Sequence, residues 1–280
     1  MKRKLKVGRF ELTILSDGHF MGDCGTFFGI VPKALWKLKV SPDEDNLMPI
    51  ALNPLLIRTP DKNILVDTGV GDKFSEDDKH KRIWRIEKSN SVSASLASER
   101  LTAESIDFVI LTHLHFDHAG GNTMLNGGKL KPVFRNATYL AQREEWAAAR
   151  FPGLLGKSSY FPENLLPLEE AGQLKLLEGD SLILPGIRVV LTGGHTRGHQ
   201  IVLIESDGEK AIVPGDIAPT SMHTKPTWNT AFDIDPTTTC VMKERYLGLA
   251  REQKSPVVFY HDTKIGFGRF GLKWDIEEIP

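Results

Sequence analysis

Hydrophobic and polar positions along this chain form short, strand-length runs separated by polar turns, with a few helical stretches between them. Residues 8–16 alternate apolar and polar and predict an edge strand ending at Asp17-Gly18. Runs at 53–59 and 63–67 flank the turn Pro60-Asp61-Lys62 and predict a hairpin. Residues 92–101 read as helix. The apolar run 106–111 reads as a buried strand, being short, β-branched and followed by polar residues and glycines. A strand at 137–140 leads into a helix at 142–150 built from good helix formers.

The second half repeats the plan. Strands at 173–177 and 187–192 lead to Gly193-Gly194-His195, and a second hairpin joins 200–205 to 210–216 through the turn 206–209. A helix over roughly 237–253 precedes a last strand, 256–260, which delivers His261-Asp262. Asp67 and Asp216 each stand just past the second strand of their hairpin. Two related halves of this kind predict an α/β sandwich, sheet on sheet with helices outside, as one domain over 1–280.

Three segments break the pattern. Residues 19–50 are rich in Gly, Phe, Trp and Pro but show no clean period. They read as an apolar loop insertion packed on the body, serving as a lid or a homodimer contact. Residues 72–91 are charged and read as surface loop or frayed helix, and 151–172 as irregular surface.

Composition narrows the class. The chain has 280 residues, 40% hydrophobic and 25% charged, as soluble globular proteins do. A net charge of −1 offers no general attraction for nucleic acid or anionic membrane. Charges interrupt every apolar run near the start, so no signal-peptide core is expected, and nothing approaches the ~20 apolar residues of a membrane span. Cys24 and Cys240 are isolated, which fits a reducing cytoplasm better than a disulfide framework. The expectation is a cytoplasmic enzyme acting on a small molecule.

The chemistry concentrates at strand ends. Thr112-His113-Leu114-His115-Phe116-Asp117-His118 follows the 106–111 strand directly, where α/β folds place their sites. With His195, Asp216 and His261 it makes five imidazoles and two carboxylates, enough for two metal ions. Such nitrogen and oxygen donors suit Zn, and also Fe, Mn or Co. A natural partition gives His113, His115 and His195 to one ion and Asp117, His118 and His261 to the other, with Asp216 bridging. Two carboxylates leave such a site positive, suited to polarising a carbonyl or phosphoryl oxygen. Asp67 and His199 are candidates to orient ligands from behind. His19 and His80 read as solvated, and Asp262 as a structural partner of His261.

Thr-His-Leu-His-Phe-Asp-His, Gly-Gly-His195-Thr-Arg-Gly-His199, Pro-Gly-Asp216 and Tyr-His261-Asp resemble the metallo-β-lactamase-fold hydrolases, nearly end to end. Within them the chain is most similar to a YtnP-like quorum-quenching lactonase branch, which also resembles methyl parathion hydrolase. The supporting stretches are 27–36, 216–223 and 231–236. The resemblance implies an αββα sandwich and a dinuclear centre with the partition above. Acyl-homoserine lactonases carry a Tyr three residues after the bridging Asp, where this chain has Pro219. Proline has no donor to offer. His223 is the next strong donor along the chain and becomes the candidate catalytic partner of Asp117.

The leading expectation is a lactonase acting on N-acyl-homoserine or related lactones, with arylesterase or phosphotriesterase side activity. Phe27, Phe28 and Trp36 would receive the acyl tail. A glyoxalase-type thioester hydrolase, an organophosphate hydrolase and a non-catalytic metal-binding protein are the alternatives. A nuclease would need a basic surface, a flavodiiron protein a carboxylate at His115 and a flavin domain, and the Cys-ligand β-lactam hydrolases a thiol at Asp216.

Overall fold

A computed structural model describes residues 1, 3–73, 79–88, 90–154 and 156–280. The chain opens with β1 (Lys4–Val7) and β2 (Phe10–Ile14), then an arm of β3 (His19–Asp23), α1 (Cys24–Phe28), α2 (Lys33–Trp36) and β4 (Leu47–Ala51). The first hairpin is β5 (Leu55–Arg58) and β6 (Asn63–Val66). After α3 (Lys79–Ile83) and α4 (Val92–Ser98) come β7 (Phe108–Ile110) and the single turn α5 (Phe116–Ala119). A small ribbon, β8 (Thr123–Asn126) with β9 (Lys129–Pro132), precedes β10 (Thr138–Gln142), α6 (Arg143–Arg150), α7 (Leu166–Glu170) and β11 (Leu174–Leu177). The second half runs β12 (Ser181–Leu184), β13 (Ile187–Leu191), β14 (Gln200–Ser206) and β15 (Glu209–Val213). It continues with α8 (Pro236–Glu252), β16 (Val257–Val258), β17 (Phe267–Phe270) and β18 (Ile276–Glu278).

These strands build two mixed sheets, ordered β1-β2-β5-β6-β7-β10-β11 and β12-β13-β14-β15-β16-β17-β18. Alternation along each strand decides its packing, because successive side chains face opposite sides of a sheet. Leu55 and Ile57 enter the core between the sheets, beside Val189, Val202 and Val213 from the opposite sheet. Leu56 points the other way, onto a layer with Leu96 of α4, Trp146 of α6 and Leu168 of α7. On the far side, Val190, Ile201 and Ile212 pack against Tyr246, Leu247 and Ala250 of α8. The layers are αββα, as the sequence and the resemblance imply.

Several elements differ from expectation. The 8–16 strand is not an edge, because β1 pairs outside it, Lys4 opposite Thr13. Residues 173–177 close the first sheet, parallel to β10, rather than opening the second. Four residues of β12 take that place, and β17 and β18 follow the strand expected to be last. The arm 19–50 is an ordered pairing of β3 with β4, closed by two helices too short to show a helical repeat. Asp23 caps the first of these, accepting from Thr26 N at 3.1 Å. Segment 151–172 is not all surface, since Tyr160, Leu165 and Leu168 are buried. The charged segment 72–91 contains α3, with 74–78 and 89 outside the described residues. Among the described residues no helix is long and apolar enough to cross a membrane.

Candidate metal centre

Every predicted ligand lies just past a strand at one edge of the sandwich. His113 and His115 follow β7, and Asp117 and His118 fall within α5. His195 follows β13, Asp216 follows β15 and His261 follows β16. The folded chain brings all seven together, as the sequence predicts. Ligand atoms of His113, His115 and His195 lie within 4.8 Å of one another, and so do those of Asp117, His118 and His261. Asp216 stands between the groups. Its Oδ2 is 3.6 Å from His195 Nε2, and its Oδ1 is 3.3 Å from His118 Nε2 and 3.5 Å from His261 Nε2.

Tautomers test whether this cluster suits cations. His118 Nδ1 donates to Asp67 Oδ2 at 2.9 Å, and His261 Nδ1 to the Ala51 carbonyl at 2.8 Å. With Nδ1 of each ring engaged in this way, both Nε2 atoms face the cluster. Those two Nε2 atoms are 3.1 Å apart, close enough for one cation to take a lone pair from each. On the other side His195 Nδ1 donates to Asp233 Oδ1 at 2.8 Å, and its Nε2 faces His115 Nδ1 at 3.2 Å. His113 Nε2 and Asp216 Oδ1 are buried without a hydrogen-bond partner, and a buried orphan of this kind is costly unless an ion satisfies it. The donor set therefore fits two divalent cations.

Electrostatics agree. Burial, then neighbouring imidazoles, push His113 and His115 well below the usual histidine range, so both are neutral and ready to ligate. Burial opposes a charged His118, yet Asp216, Asp117 and Asp67 outweigh it and raise its pKa. Without an ion that ring would take a proton to balance the carboxylates. A metal cation serves the same balance.

The supporting shell includes groups that sequence reasoning anticipated and others that it missed. Asp67 also accepts from Thr112 N and Thr112 Oγ1, both at 2.8 Å. His199 donates from Nδ1 to Thr192 Oγ1 at 2.7 Å and accepts the Asp216 backbone N–H at Nε2, at 3.0 Å. It thus fixes the bridge position without facing the cluster. Asp262 accepts from Ser221, Lys264 and Ile265 and shapes the His261 loop. Asp233 and Glu145 carried no such signal in sequence. Glu145, 0% exposed on α6, ties the two histidine loops together. It accepts from Leu114 N and Tyr160 Oη through one oxygen, and from Thr196 Oγ1 and Gly198 N through the other.

An apolar cavity of about 40 Å³ opens over the cluster, walled by Phe20, Phe27, Trp84, Phe116 and Phe232, with Ser159 at its polar side. Of the three predicted tail-binding residues, Phe27 alone lines it. Phe28 is fully buried, stacked on Trp36 at 5.3 Å and on His223 at 5.1 Å, so Phe28 and Trp36 belong to the arm's core. His223 is also displaced from its expected role. Its Nε2 donates to the Phe27 carbonyl at 2.8 Å, its Nδ1 meets Thr220 Oγ1 at 2.8 Å, and the ring is 0% exposed. Burial holds its pKa down to about 4. Neutral, fully bonded and outside the cavity, His223 has no proton to give a substrate. His19 and His80 are half-buried rather than solvated, His19 beside Glu87 at 3.5 Å and His80 against the Phe161 ring at 4.6 Å.

Known proteins resemble this chain in sequence and fold. An N-acyl homoserine lactonase of Bacillus cereus is 29% identical over 170 residues, covering 58% of this chain and 61% of that enzyme, so the match spans less than two thirds of the relative. A probable metal-dependent hydrolase from Staphylococcus aureus superposes with a TM-score of 0.91 at 34% identity, covering 98% of this chain and 97% of that one. A dizinc quorum-quenching lactonase solved with its product superposes at 0.80 and 23% identity, over 99% of this chain and 97% of that one, a likeness of fold. Residues 49–258 match the metallo-beta-lactamase superfamily domain, and with the αββα layers and the seven ligand-type side chains at one sandwich edge, the chain belongs to that superfamily.

Proposed function

We propose that this metal-dependent hydrolase is a dinuclear lactonase that opens N-acyl-homoserine or related lactones, with aryl esters and phosphotriesters as side substrates. One observation carries the reading: two three-residue ligand groups share Asp216 directly beneath an aromatic-walled cavity. His113, His115 and His195 would hold one ion, Asp117, His118 and His261 the other, with zinc the first choice for such donors. Ions there would polarise the lactone carbonyl and lower the pKa of the attacking water. Asp117, 8% exposed and lining the cavity, takes the water's proton and passes it to the leaving alkoxide. The aromatic walls receive the acyl chain, which is apolar and uncharged like them.

The cognate relative and the product-bound neighbour support this choice of substrate. The test is elemental analysis followed by proton release against acyl-homoserine lactones, aryl esters and a phosphotriester. Two ions per chain and turnover highest on the lactones are expected; an active protein holding one ion, or turnover highest on another class, overturns the reading. Asp117→Asn should keep much of its metal yet lose turnover by ~10²-fold. Unchanged kcat with metal retained would remove the proton-carrying role.

A further inference from the structure

We infer that the Ser159 hydroxyl donates to the oxygen that gains negative charge when the lactone carbonyl is attacked, a role that rests on the lactonase reading. Pro219 leaves the position three residues after the bridging aspartate without a donor, and His223 is spent inside the fold. The remaining hydroxyls near the cluster are committed as well. Tyr160 Oη donates to Glu145 at 3.0 Å, Tyr260 Oη to the Asp117 carbonyl at 2.6 Å, and Thr230 Oγ1 to Asp233 at 2.9 Å. Ser159 lines the cavity, half-buried, and among the described residues its Oγ has no hydrogen-bond partner.

Its placement is fixed by backbone, not by that side chain. The Ser159 carbonyl accepts from Phe116 N at 2.8 Å, and its own N–H donates to the Gly156 carbonyl at 3.0 Å. Phe116 stands between His115 and Asp117, so this bond pins Ser159 against the turn that supplies a ligand to each group. The next residue, Tyr160, sets its ring 5.0 Å from His115. A hydroxyl whose backbone is fixed here and which has no internal partner can turn toward an incoming oxygen without breaking a bond of its own. The Trp84 indole also borders the cavity, but its ring stands among Phe20, Phe116 and Phe232 in the apolar wall.

In the step itself the water oxygen bonds to the carbonyl carbon and the ring C–O bond breaks. The water's proton travels through Asp117 to the departing alkoxide, and Ser159 keeps its own proton throughout. The group therefore stabilises developing charge and should act on kcat rather than on substrate binding.

Ser159→Ala and Ser159→Thr, compared with the parent in metal-loaded form, test this. The readouts are metal content, melting temperature, kcat and KM on a hexanoyl-homoserine lactone, and calorimetric Kd for its non-hydrolysable lactam. Ser159→Ala is expected to lower kcat about 10²-fold while metal content, melting temperature, KM and lactam Kd stay near parental values. Ser159→Thr, which keeps the hydroxyl, is expected to recover most of the loss. Parental kcat in Ser159→Ala, a loss carried by KM and lactam Kd, or no recovery by threonine would overturn the assignment. A loss confined to Trp84→Phe would move the donor to the indole and overturn it too. A parent inert toward every lactone would bring down the lactonase reading and this role together, whereas an active parent with an indifferent Ser159→Ala ends this role alone.

Discussion

At the end of β6, Asp67 gives its oxygens to Thr112 and His118, behind the cluster; at the end of β15, Asp216 gives its oxygens to the cluster itself. The two hairpins are built alike, and their aspartates occupy matching places. The backbone explains the divergence. Asp67 itself adopts the left-handed conformation, φ 57°, held there by three hydrogen bonds. Such strain persists only where the surroundings over-determine it. In the second half the left-handed residue is Gly215, φ 52°, where a Cβ would sit 2.6 Å from His199 Nε2. The glycine absorbs the turn, and Asp216 is left to face both ligand groups. The two hairpins thus supply one aspartate as scaffold and one facing both ligand groups.

Removing the bridge should have the largest effect. Asp216→Ala is expected to deplete both ions together and to cost turnover beyond the ~10²-fold ceiling typical of supporting groups. Elemental analysis that finds one group still filled would break the bridging assignment. Removing the scaffold should act on one side. Asp67→Asn leaves His118 without a full carboxylate partner and should weaken metal binding ~10–100-fold, chiefly in the group that contains His118 and His261. Asp233→Asn should do the same to the His195 group, since Asp233 orients that ring. Competitive chelator titrations of the two variants check this. Equal weakening of both ions in each would mean the groups do not bind independently.

The ligands were legible in the sequence because they cluster within a few residues of the ends of apolar runs, so strand ends could be read without knowing how the strands pair. The strand order was less legible. Residues 173–177 have the same apolar character whether they close the first sheet or open the second, and only pairing with β10 decides. Side-chain direction within the arm was not legible at all. Phe27 and Phe28 are neighbours in a helix of five residues, too short to show which face is buried. His223 was misplaced for a related reason. Distance along the chain kept it near Asp216, but the turn at Ser221–His223 aims its ring into the arm, toward Phe28.

That neighbouring pair gives a smaller and sharper contrast. Phe27→Ala should weaken long-chain lactones more than short ones, by about fourfold in kcat/KM for each acyl methylene that loses its ~0.8 kcal/mol of burial. Phe28→Ala, emptying a site stacked between Trp36 and His223, should cost ~3–5 kcal/mol of stability and reduce turnover on all chain lengths alike. Kinetics over a chain-length series, with a denaturant melt of each variant, separates the two. A chain-length trend in Phe28→Ala would return that ring to the cavity wall.

The outer helices carry another unequal pair, and its expected effect on turnover is the smallest. Glu145 on α6 is buried but satisfied by four donors. Lys243 on α8, 0% exposed, donates to the Trp228 carbonyl at 2.5 Å, and burial pulls its pKa down to about 7. The folded value lies below the unfolded value, so between about pH 7 and 10.5 the unfolded chain holds the extra proton. Stability from this group therefore rises with pH across that window, by up to about 1.4 kcal/mol per pH unit, and the gain is lost as pH falls back toward 7. Lys243→Met should flatten the parent's slope there while leaving metal content and lactone turnover close to parental. Denaturant melts at pH 7, 8, 9 and 10 measure the difference between the two proteins. An identical slope in both would show that the amine stays charged in the fold, held by Asp233 across the same buried layer.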